Sequence, residues 1–535
     1  MKRLPVKTLA LLSIMQLFAS AAAATDFAVN GIFYKVISST SVMVMPETYI
    51  PENTGEISMG FTNAYKGDVV IPSEVESGGK TYIVSAASDG VFRASNGLTS
   101  ISIPSTLTQL GSSPFASCSN LSSINVEAGN PSYSSKDGVL LNASGNTLIS
   151  CPGGKRGKYT VPGTVSIVAD SSFQGCTGIT EIALPSSVTK IGSYAFDRCS
   201  SLTSINLPSS LSEICDGTFQ RCQKLSQISL PSSLKRIGKR AFYYCTNLSD
   251  LSLPSSLEIL DDYAMAVCTH LPTLVLPESL QEIGSHCFEN CRQIESITIP
   301  GKVKSVGVLA FGGCSCLESI GVSSDNAEYI SDNGALLTKD MTHIVCYPAA
   351  KSGDYTLPSQ VTDIDDYAFY YCRQLNNVEL SPLLHTIGEG SFMYCSGLEE
   401  LSLPPGLVSI GGNAFAYCSS LQKLTSYPQS LPLFSSEAFT TDMYTSAKVY
   451  VHEHVLNMYK NDNYWGKFSS INPIGIALGD VNVDGYVSVT DITMTATHIL
   501  GNAQDGFFWE FGDMNGDGII SVTDITMMAT KILSE

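Results

Sequence analysis

Basic side chains are scarce in this chain of 535 residues. Lys and Arg together number 30 against 49 Asp and Glu, which leaves a formal net charge of −19. An acidic surface repels phosphate backbones, so the composition argues against nucleic acid as a partner. Such a surface suits solubility and cation binding instead.

Catalytic signatures are also missing. The sequence has no Gly-x-Ser-x-Gly nucleophile elbow, no His-Glu-x-x-His zinc motif and no glycine loop of the phosphate-binding type. The seven histidines are scattered, and the closest pair, His452 and His454, has no further metal-ligand candidate nearby. We therefore predict that the protein is not an enzyme. A glycoside hydrolase stays an alternative, because its two carboxylates leave no motif in a sequence.

Long apolar runs are absent after the first residues. Residues 1–24 combine a basic start, an apolar run and a small-residue end at Ala22, Ala23 and Ala24, which is typical of a secretory signal peptide. The run is too short and too early for a comfortable membrane span, and no later stretch approaches about 20 apolar residues. We expect a secreted protein, extracellular or associated with a cell surface, without a membrane span.

Sixteen cysteines in an exported protein would first suggest disulfides. Their spacing argues otherwise, because one repeat position holds a thiol every 23 residues. The recurring cysteines are Cys176, Cys199, Cys222, Cys245, Cys268, Cys291 and Cys314, then Cys372, Cys395 and Cys418. This pattern predicts a ladder of small, buried, reduced side chains, although oxidation of some neighbouring pairs stays open.

The step of 23 residues is kept by other residue types too. Proline recurs from Pro162 to Pro300, and an aromatic residue or methionine recurs from Phe173 to Phe311. Such a period indicates stacked units that are each too small to bury their apolar face alone. About thirteen units can be counted by this spacing.

One unit, residues 201–223, reads SLTSINLPSSLSEICDGTFQRCQ. Residues 205–207 alternate as a short strand does, and Pro208 ends the ladder because it has no N–H. Phe219 and Cys222 lie three apart, which suits a turn or a short helical corner packed inward. The local pattern therefore predicts a coil of short strands.

The repeated motif LPSSLxxI followed by xAFxxC, as in residues 184–199, resembles the BspA-like leucine-rich repeats of bacterial surface and secreted proteins. The resemblance covers residues 91–425 and implies a leucine-rich-repeat solenoid of short β-strands with turns or short helical corners. Two insertions, about residues 126–161 and 322–357, are expected to be β-hairpins with turns at Asp137-Gly138 and Asn333-Gly334. Residues 25–90 are expected to form an N-terminal cap, and residues 426–475 a C-terminal cap and linker.

Two nearly identical segments follow within residues 476–535. They read DVNVDGYVSVTDITMTATHIL from Asp480 and DMNGDGIISVTDITMMATKIL from Asp513. Oxygen-bearing side chains recur at loop positions 1, 3, 5, 9 and 12, position 7 offers its backbone carbonyl, and glycine at position 6 allows a sharp turn. Calcium takes six to eight oxygens in such loops. The candidate ligands are Asp480, Asn482, Asp484, Tyr486, Ser488 and Asp491, and then Asp513, Asn515, Asp517, Ile519, Ser521 and Asp524.

These segments resemble a type I dockerin, which has two loop–helix calcium motifs without the entering helix of a full EF-hand. Aspartate rather than glutamate at position 12, as here, is a feature of that family. The resemblance implies a small all-α domain with two Ca²⁺ ions and a cohesin-type partner. Loop positions 10 and 11 help recognise that partner in dockerins. These positions hold Val489, Thr490, Val522 and Thr523.

The two halves carry the same residues at these partner positions, so a partner could dock on either half. We expect the apolar residues of the two helices to pack the halves together; these are Ile492, Ile499, Leu500, Ile525, Ile532 and Leu533.

A row of aromatic residues offers a second candidate site. Tyr371, Tyr394 and Tyr417 precede the repeated cysteine in three successive coils. Stacked coils would place their rings in a row, as a platform for sugar rings or for the apolar edge of a protein. The alternative is that the stacked rings only stabilise the solenoid.

Taken together, the sequence predicts a secreted, non-catalytic adhesion or binding protein. Its repeats would bind a host protein or a glycan, and its dockerin would attach it to a cohesin-type partner. The alternative is an accessory subunit of a polysaccharide-degrading, cellulosome-like complex. A link to polysaccharide catabolism or to glycoside hydrolases comes only through the dockerin family.

Overall fold

The computed structural model describes residues 25–534 apart from 47–48, 52–58, 62–64, 273, 429, 435–436, 476, 483, 503–506 and 509–510. The expected signal peptide, residues 1–24, therefore lies outside the described residues. The chain divides into two compact units, Met1–Leu280 and Gln281–Glu535. Each unit is described separately below.

The first unit begins with an antiparallel meander and continues as parallel coils. Strands β1, β2 and β3 pair antiparallel, and β3 then pairs in parallel with β8. From β9 onward most pairs are parallel and join strands one coil apart. The strands are β1 (Phe27–Val29), β2 (Ile32–Val36), β3 (Ser41–Met45), β4 (Tyr49–Pro51), β5 (Met59–Phe61), β6 (Gly67–Val70), β7 (Glu74–Ser77), β8 (Lys80–Ala87), β9 (Leu98–Ile103), β10 (Gln109–Leu110), β11 (Ser123–Val126), β12 (Tyr133–Lys136), β13 (Val139–Asn142), β14 (Thr147–Ser150), β15 (Arg156–Thr160), β16 (Ile167–Val168), β17 (Gly178–Ala183), β18 (Lys190–Ile191), β19 (Ser204–Ile205), β20 (Glu213–Ile214), β21 (Gln227–Ile228), β22 (Arg236–Ile237), β23 (Asp250–Leu251) and β24 (Ile259–Leu260).

The second unit repeats the parallel coils and ends in helices. One row of strands runs β31-β33-β35-β37-β39, and another runs β32-β34-β36-β38-β40-β41. Two 3-10 turns, Glu453–Val455 and Trp465–Lys467, flank the second helix. The strands and helices are β25 (Glu282–Ile283), β26 (Ser296–Ile299), β27 (Ser305–Val306), β28 (Ser319–Val322), β29 (Tyr329–Asp332), β30 (Ala335–Thr338), β31 (His343–Cys346), β32 (Gly353–Thr356), β33 (Asp363–Ile364), β34 (Leu375–Glu379), β35 (Thr386–Ile387), β36 (Glu400–Leu403), β37 (Ser409–Ile410), β38 (Lys423–Ser426), β39 (Leu433–Phe434), α1 (Met443–Ser446), β40 (Lys448–Val451), α2 (Leu456–Asn461), β41 (Ile471–Pro473), α3 (Val489–Ile499) and α4 (Val522–Ser534).

Most coils contribute a short strand to each of two rows, and in the two-residue strands the second residue is usually the buried one. Ile214 of β20 lies opposite Ile237 of β22, which lies opposite Leu260 of β24. All three are buried, whereas their strand neighbours are more exposed. The alternation read from the sequence is therefore the inward and outward alternation of a strand.

The corner of each coil is a turn that packs a phenylalanine and a cysteine inward. The rings of Phe196 and Phe219 are stacked 5.3 Å apart, and those of Phe219 and Phe242 are 5.4 Å apart. The Cys222 thiol donates a hydrogen bond to the Phe196 carbonyl of the preceding coil, at 3.2 Å. All sixteen cysteines carry free thiols, and burial raises the pKa of the Cys268 thiol to about 12. A period of one cysteine per coil thus builds a column of buried thiols.

Two antiparallel hairpins interrupt the coils. Strand β12 pairs with β13 in the first unit, and β29 pairs with β30 in the second. Each turn carries two residues with positive φ, which glycine and asparagine or aspartate tolerate best. These residues are Asp137, Gly138, Asn333 and Gly334.

Aromatic side chains close the last coils of the second unit. Trp465 is fully buried. Its ring centroid lies 4.8 Å from that of Phe434 and 4.9 Å from that of Tyr459. The Tyr459 hydroxyl lies 2.8 Å from the Ser426 hydroxyl. Strands β40 and β41 continue the parallel row beyond these coils.

The predicted solenoid of short strands is confirmed. Counted over both units it has about 17 turns with a period of about 23 residues, because strands outside the regular motif, such as β40, continue the pairing. The corners are turns rather than short helices. No helix in the described part of the chain has the length and apolar character needed to cross a membrane.

Candidate metal centre

Three acidic side chains converge in the first C-terminal loop. The candidate ligand atoms of Asp480, Asp484 and Asp491 all lie within 4.8 Å of one another. Asp480 is 1% exposed and Asp491 is 0% exposed. Among the residues that the structure describes, no other group of three acidic, histidine or cysteine side chains meets this criterion.

Asp491 ties the two ends of the first loop together. Its Oδ1 accepts a hydrogen bond from the Val481 N–H at 2.9 Å, and its Oδ2 accepts from the Ser488 N–H at 2.8 Å. The Ser488 hydroxyl oxygen in turn accepts from the Thr490 N–H at 3.1 Å, so the loop ends in a capping box at the start of α3. The loop geometry is therefore set by the same residues that begin the helix.

The second loop has the same hydrogen bonds. Asp524 Oδ1 accepts from the Met514 N–H and its Oδ2 accepts from the Ser521 N–H, both at 2.8 Å. The carboxylate of Asp513 accepts from the Gly518 N–H at 2.7 Å, as Asp480 does from Gly485 at 2.9 Å. The two loops, which repeat the same sequence, are therefore closed by equivalent hydrogen bonds.

The glycine at position 6 is required in both loops. Gly485 has φ +97° and Gly518 has φ +80°, conformations that L side chains rarely adopt. In loops of this kind a sharp turn at position 6 allows the residue at position 7 to offer its backbone carbonyl to the ion.

Three crowded carboxylates, two of them fully buried, make the first loop a candidate site for a cation. Burial raises the pKa of Asp480 to about 6, and the nearby charges of Asp484 and Asp491 act in the same direction. Burial also raises the pKa of Asp484. None of these side chains forms an ion pair with a Lys or Arg among the described residues. Hard oxygen donors without a cationic partner fit calcium.

The second loop is more open than the first. Residues 515–519 are exposed, although Asp524 itself is buried. Burial acts to raise the pKa of Asp524, but hydrogen bonds from Ser521, Met514 and Asn515 leave it lowered. The two loops therefore present the same donors in different surroundings.

The expected partner residues lie on the surface at the start of the helices. Val489 and Val522 are among the exposed large apolar residues, and Thr490 and Thr523 are exposed too. Each half thus has an exposed valine and an exposed threonine beside its loop.

The fully buried contact between the two helices involves residues that the sequence analysis did not choose, while Ile492, Ile499, Ile525 and Ile532 are partly buried. Thr495 and Met528 are fully buried, and the Thr495 hydroxyl donates to the Met528 sulfur at 3.6 Å. Leu500 is 78% exposed and Leu533 is 87% exposed, so the expectation that they pack the halves together was wrong. The buried face continues one turn from Asp491 to Thr495, whereas Leu500 already lies beyond the last residue of α3.

The tyrosine row is present in the second unit, and its rings contact one another. The Tyr394 and Tyr417 rings are stacked with centroids 4.6 Å apart and 4° between their planes, and Tyr371 lies 5.8 Å from Tyr394. The Arg373 guanidinium lies 3.9 Å from the centroid of the Tyr371 ring. Tyr417 is 52% exposed. The row is thus partly exposed at Tyr371 and Tyr394 and most exposed at Tyr417.

Tyr427 is a residue that sequence reasoning missed. It follows strand β38 of the repeats, yet its ring lies 5.7 Å from that of Tyr486 in the first loop. No repeat position or motif marks it, because the contact joins two segments that are distant in the chain.

Comparison with known families identifies both parts of the chain. The family described as BspA type leucine-rich repeat region matches this chain in six copies. The matches cover more than half of the chain, at residues 81–136, 155–268, 235–346 and 345–461. This chain belongs to the BspA-type leucine-rich repeat family. The type I dockerin domain matches residues 478–533, which include both loops, helix α3 and all but the last residue of helix α4. Both predicted resemblances are confirmed.

Solved structures of bacterial leucine-rich repeat proteins resemble this repeat protein. A leucine-rich repeat protein from Bacteroides ovatus is 24% identical, with a TM-score of 0.39 over 84% of this chain and 100% of that chain. A leucine-rich cell surface protein from Faecalibacterium prausnitzii is 19% identical, with a TM-score of 0.36 over 85% and 96%. A T. pallidum leucine-rich repeat protein is 33% identical, with a TM-score of 0.32 over 36% and 89%. No curated protein matches the chain.

The two matched families indicate the types of module that this repeat protein contains. Both are non-catalytic modules, and no enzymatic domain is matched. Type I dockerin domains bind calcium, and a dockerin implies a cohesin-type partner. Proteins with BspA-type repeats or dockerins are typically extracellular or associated with the cell surface.

Proposed function

We propose that this BspA-type repeat protein is a secreted binding or adhesion protein. Its dockerin binds two calcium ions, and in that calcium-bound form it docks on a cohesin. The repeats bind a protein or a glycan, and the dockerin links them to the partner. The observation that carries the proposal is the pair of equivalent loops, each closed by a buried aspartate and followed by an exposed valine and threonine.

The residues that would hold the ions are the twelve candidates of the two loops. Asp480, Asp484 and Asp491 already converge in the first loop, and Asp513 and Asp524 accept the equivalent backbone hydrogen bonds in the second. Bound calcium would supply the positive charge that these carboxylates need in order to stay ionised and close together.

Calcium titration of the full chain tests the number of ions. We expect two sites in the wild type and one site in each of Asp491→Ala and Asp524→Ala, because each substitution removes the carboxylate that closes one loop. Isothermal calorimetry gives the stoichiometry. A wild-type stoichiometry of zero or one contradicts the proposal of two ions.

Partner docking is tested on Val489 and Val522. The double variant Val489→Asp with Val522→Asp should weaken binding to a panel of cohesin modules by about 100-fold, since an unpaired charge in an interface is costly. Each single variant should retain binding through the other half. Leu533→Asp, which adds the same charge at another exposed apolar position, should bind as the wild type does. Cohesin binding that persists in excess chelator, or in the double variant, contradicts the proposal.

Ligand binding by the repeats is assigned to Tyr371, Tyr394 and Tyr417. Replacing all three by alanine should abolish retention on the glycans or host proteins that retain the wild type in a glycan array and a host-protein pull-down. Tyr244 occupies the same repeat position in the first unit and is exposed, so Tyr244→Ala is the matched control. Unchanged binding by the triple variant would leave the row with a stabilising role only.

Secretion and domain boundaries complete the proposal. Residues 1–24 are removed as a signal peptide, residues 25–90 and 426–475 cap the repeats of residues 91–425, and residues 476–535 form the dockerin. N-terminal sequencing of the protein recovered from culture medium tests the first boundary. Retention on polysaccharides alone would favour the accessory subunit of a polysaccharide-degrading complex.

A further inference from the structure

The two calcium loops differ in what surrounds them. A Cβ added at Gly518 of the second loop would meet nothing within 4 Å. A Cβ added at Gly485, the equivalent residue of the first loop, would overlap the ring of Tyr427. The near-identical sequences of the loops do not account for this difference, so it comes from the neighbour of the first loop.

That neighbour belongs to the repeats. Tyr427 directly follows β38, and its N–H donates to the Leu403 carbonyl of the preceding coil at 3.1 Å. Its ring centroid lies 5.7 Å from that of Tyr486, the residue after Gly485 in the loop. It also lies 5.7 Å from the ring centroid of His452, the residue after β40. Tyr427 therefore contacts the last coils and the first calcium loop at once.

A second contact supports the first. The ring of His454, in the 3-10 turn Glu453–Val455, lies 5.9 Å from that of Phe508. The Phe508 N–H donates to the Val481 carbonyl of the first loop at 2.8 Å. Phe508, which lies between the two calcium motifs, is thus bound to the first loop and packed against this 3-10 turn.

We propose that the first calcium loop is seated on the last repeat coils through Tyr427, so that calcium uptake there and closure of the solenoid end stabilise each other. This inference rests on the proposed binding of two ions. It makes the two sites unequal, because the seated first site gains the aromatic contact and the second does not. A ligand that binds only the seated arrangement stabilises that arrangement in turn.

A matched pair of substitutions tests the inference in the full chain. Tyr486 and Ile519 occupy position 7 of the two loops, where only the backbone carbonyl is a ligand. Tyr486→Ala should weaken calcium binding at one site by about 3- to 10-fold, as the loss of an aromatic pair predicts. Ile519→Ala, which keeps the carbonyl and replaces an exposed side chain, should have a smaller effect on calcium affinity than Tyr486→Ala. Tyr427→Ala should reproduce the effect of Tyr486→Ala, and Tyr427→Phe, which keeps the ring, should not.

Hydrogen–deuterium exchange provides a readout that does not depend on affinity. Calcium added to the wild type should increase protection of β38 and β40, and Tyr427→Ala should abolish that increase while residues of the first unit exchange as before. Wild-type strands that exchange alike with and without calcium would overturn the inference, as would equal effects of Tyr486→Ala and Ile519→Ala. Absence of calcium binding in every variant would instead overturn the proposed function.

Discussion

His452 is a single histidine whose burial should make the fold sensitive to pH. It directly follows β40 and is buried, and neither ring nitrogen has a hydrogen-bond partner among the described residues. Burial, and to a lesser extent the neighbouring His454, lower its pKa to about 4, against 6.5 for an ordinary histidine. The folded protein therefore keeps this ring neutral at pH values where the unfolded chain protonates it.

We predict that this protein loses stability as the pH falls from about 6.5 towards 4. Within that window His452 is protonated in the unfolded state and neutral in the folded state. Its contribution therefore lowers the free energy of unfolding by at most about 1.4 kcal/mol for each unit by which the pH falls. Above pH 6.5 the residue contributes no pH dependence. Urea unfolding at several pH values, compared between the wild type and His452→Leu, isolates the effect. Parallel pH profiles for the two proteins would contradict it.

Among elements, the stacked corners carry much of the core. Phe219 lies between Phe196 and Phe242 with centroids 5.3 and 5.4 Å away, and all three rings are fully buried. The equivalent residue of a later coil is Met265, which is also fully buried. The corner thus accepts a large, flexible apolar side chain as well as a ring.

Phe219→Ala should lower the free energy of unfolding by about 3–5 kcal/mol, because it removes a buried ring and leaves a cavity between two coils. Phe219→Met should cost about 1.5 kcal/mol or less, since it nearly conserves the apolar volume. Chemical denaturation with the same probe for each variant measures both. A methionine variant as unstable as the alanine variant would show that ring stacking, rather than filled volume, sustains the corner.

At the scale of the whole molecule, the free thiols distinguish a packed solenoid from a disulfide scaffold. Cys316 is exposed, Cys215 and Cys346 are intermediate, and the other thirteen cysteines are buried. Burial raises the pKa of most of the ladder thiols, which leaves little reactive thiolate at neutral pH.

Alkylation of the native protein without reductant should therefore modify Cys316 first and leave the repeat ladder unmodified. The same reaction in denaturant should add sixteen labels, since all sixteen thiols are free. Intact-protein mass spectrometry counts the labels. Fewer labels in denaturant would reveal disulfides and contradict the reduced ladder.

Much of this architecture could be predicted from local, repeated patterns. The step from Cys199 to Cys222 to Cys245 places one thiol in every coil, and the alternation at Ile205 marks a strand. The loops at Asp480 and Asp513 could be recognised because donors, glycine and helix start lie within twelve residues of one another. The hydrogen bonds that close each loop join residues at most ten apart in the chain.

Other features depended on packing between distant segments. The sequence could not show that Thr495 and Met528 meet while Leu500 and Leu533 face outward, because both sets are compatible with a helix. It also could not show that Tyr427 lies on the first loop. The repeat period and the loop chemistry are short-range properties, so the chain sequence determines them. The unequal surroundings of two almost identical loops arise only when the last repeat coils fold beside one of them.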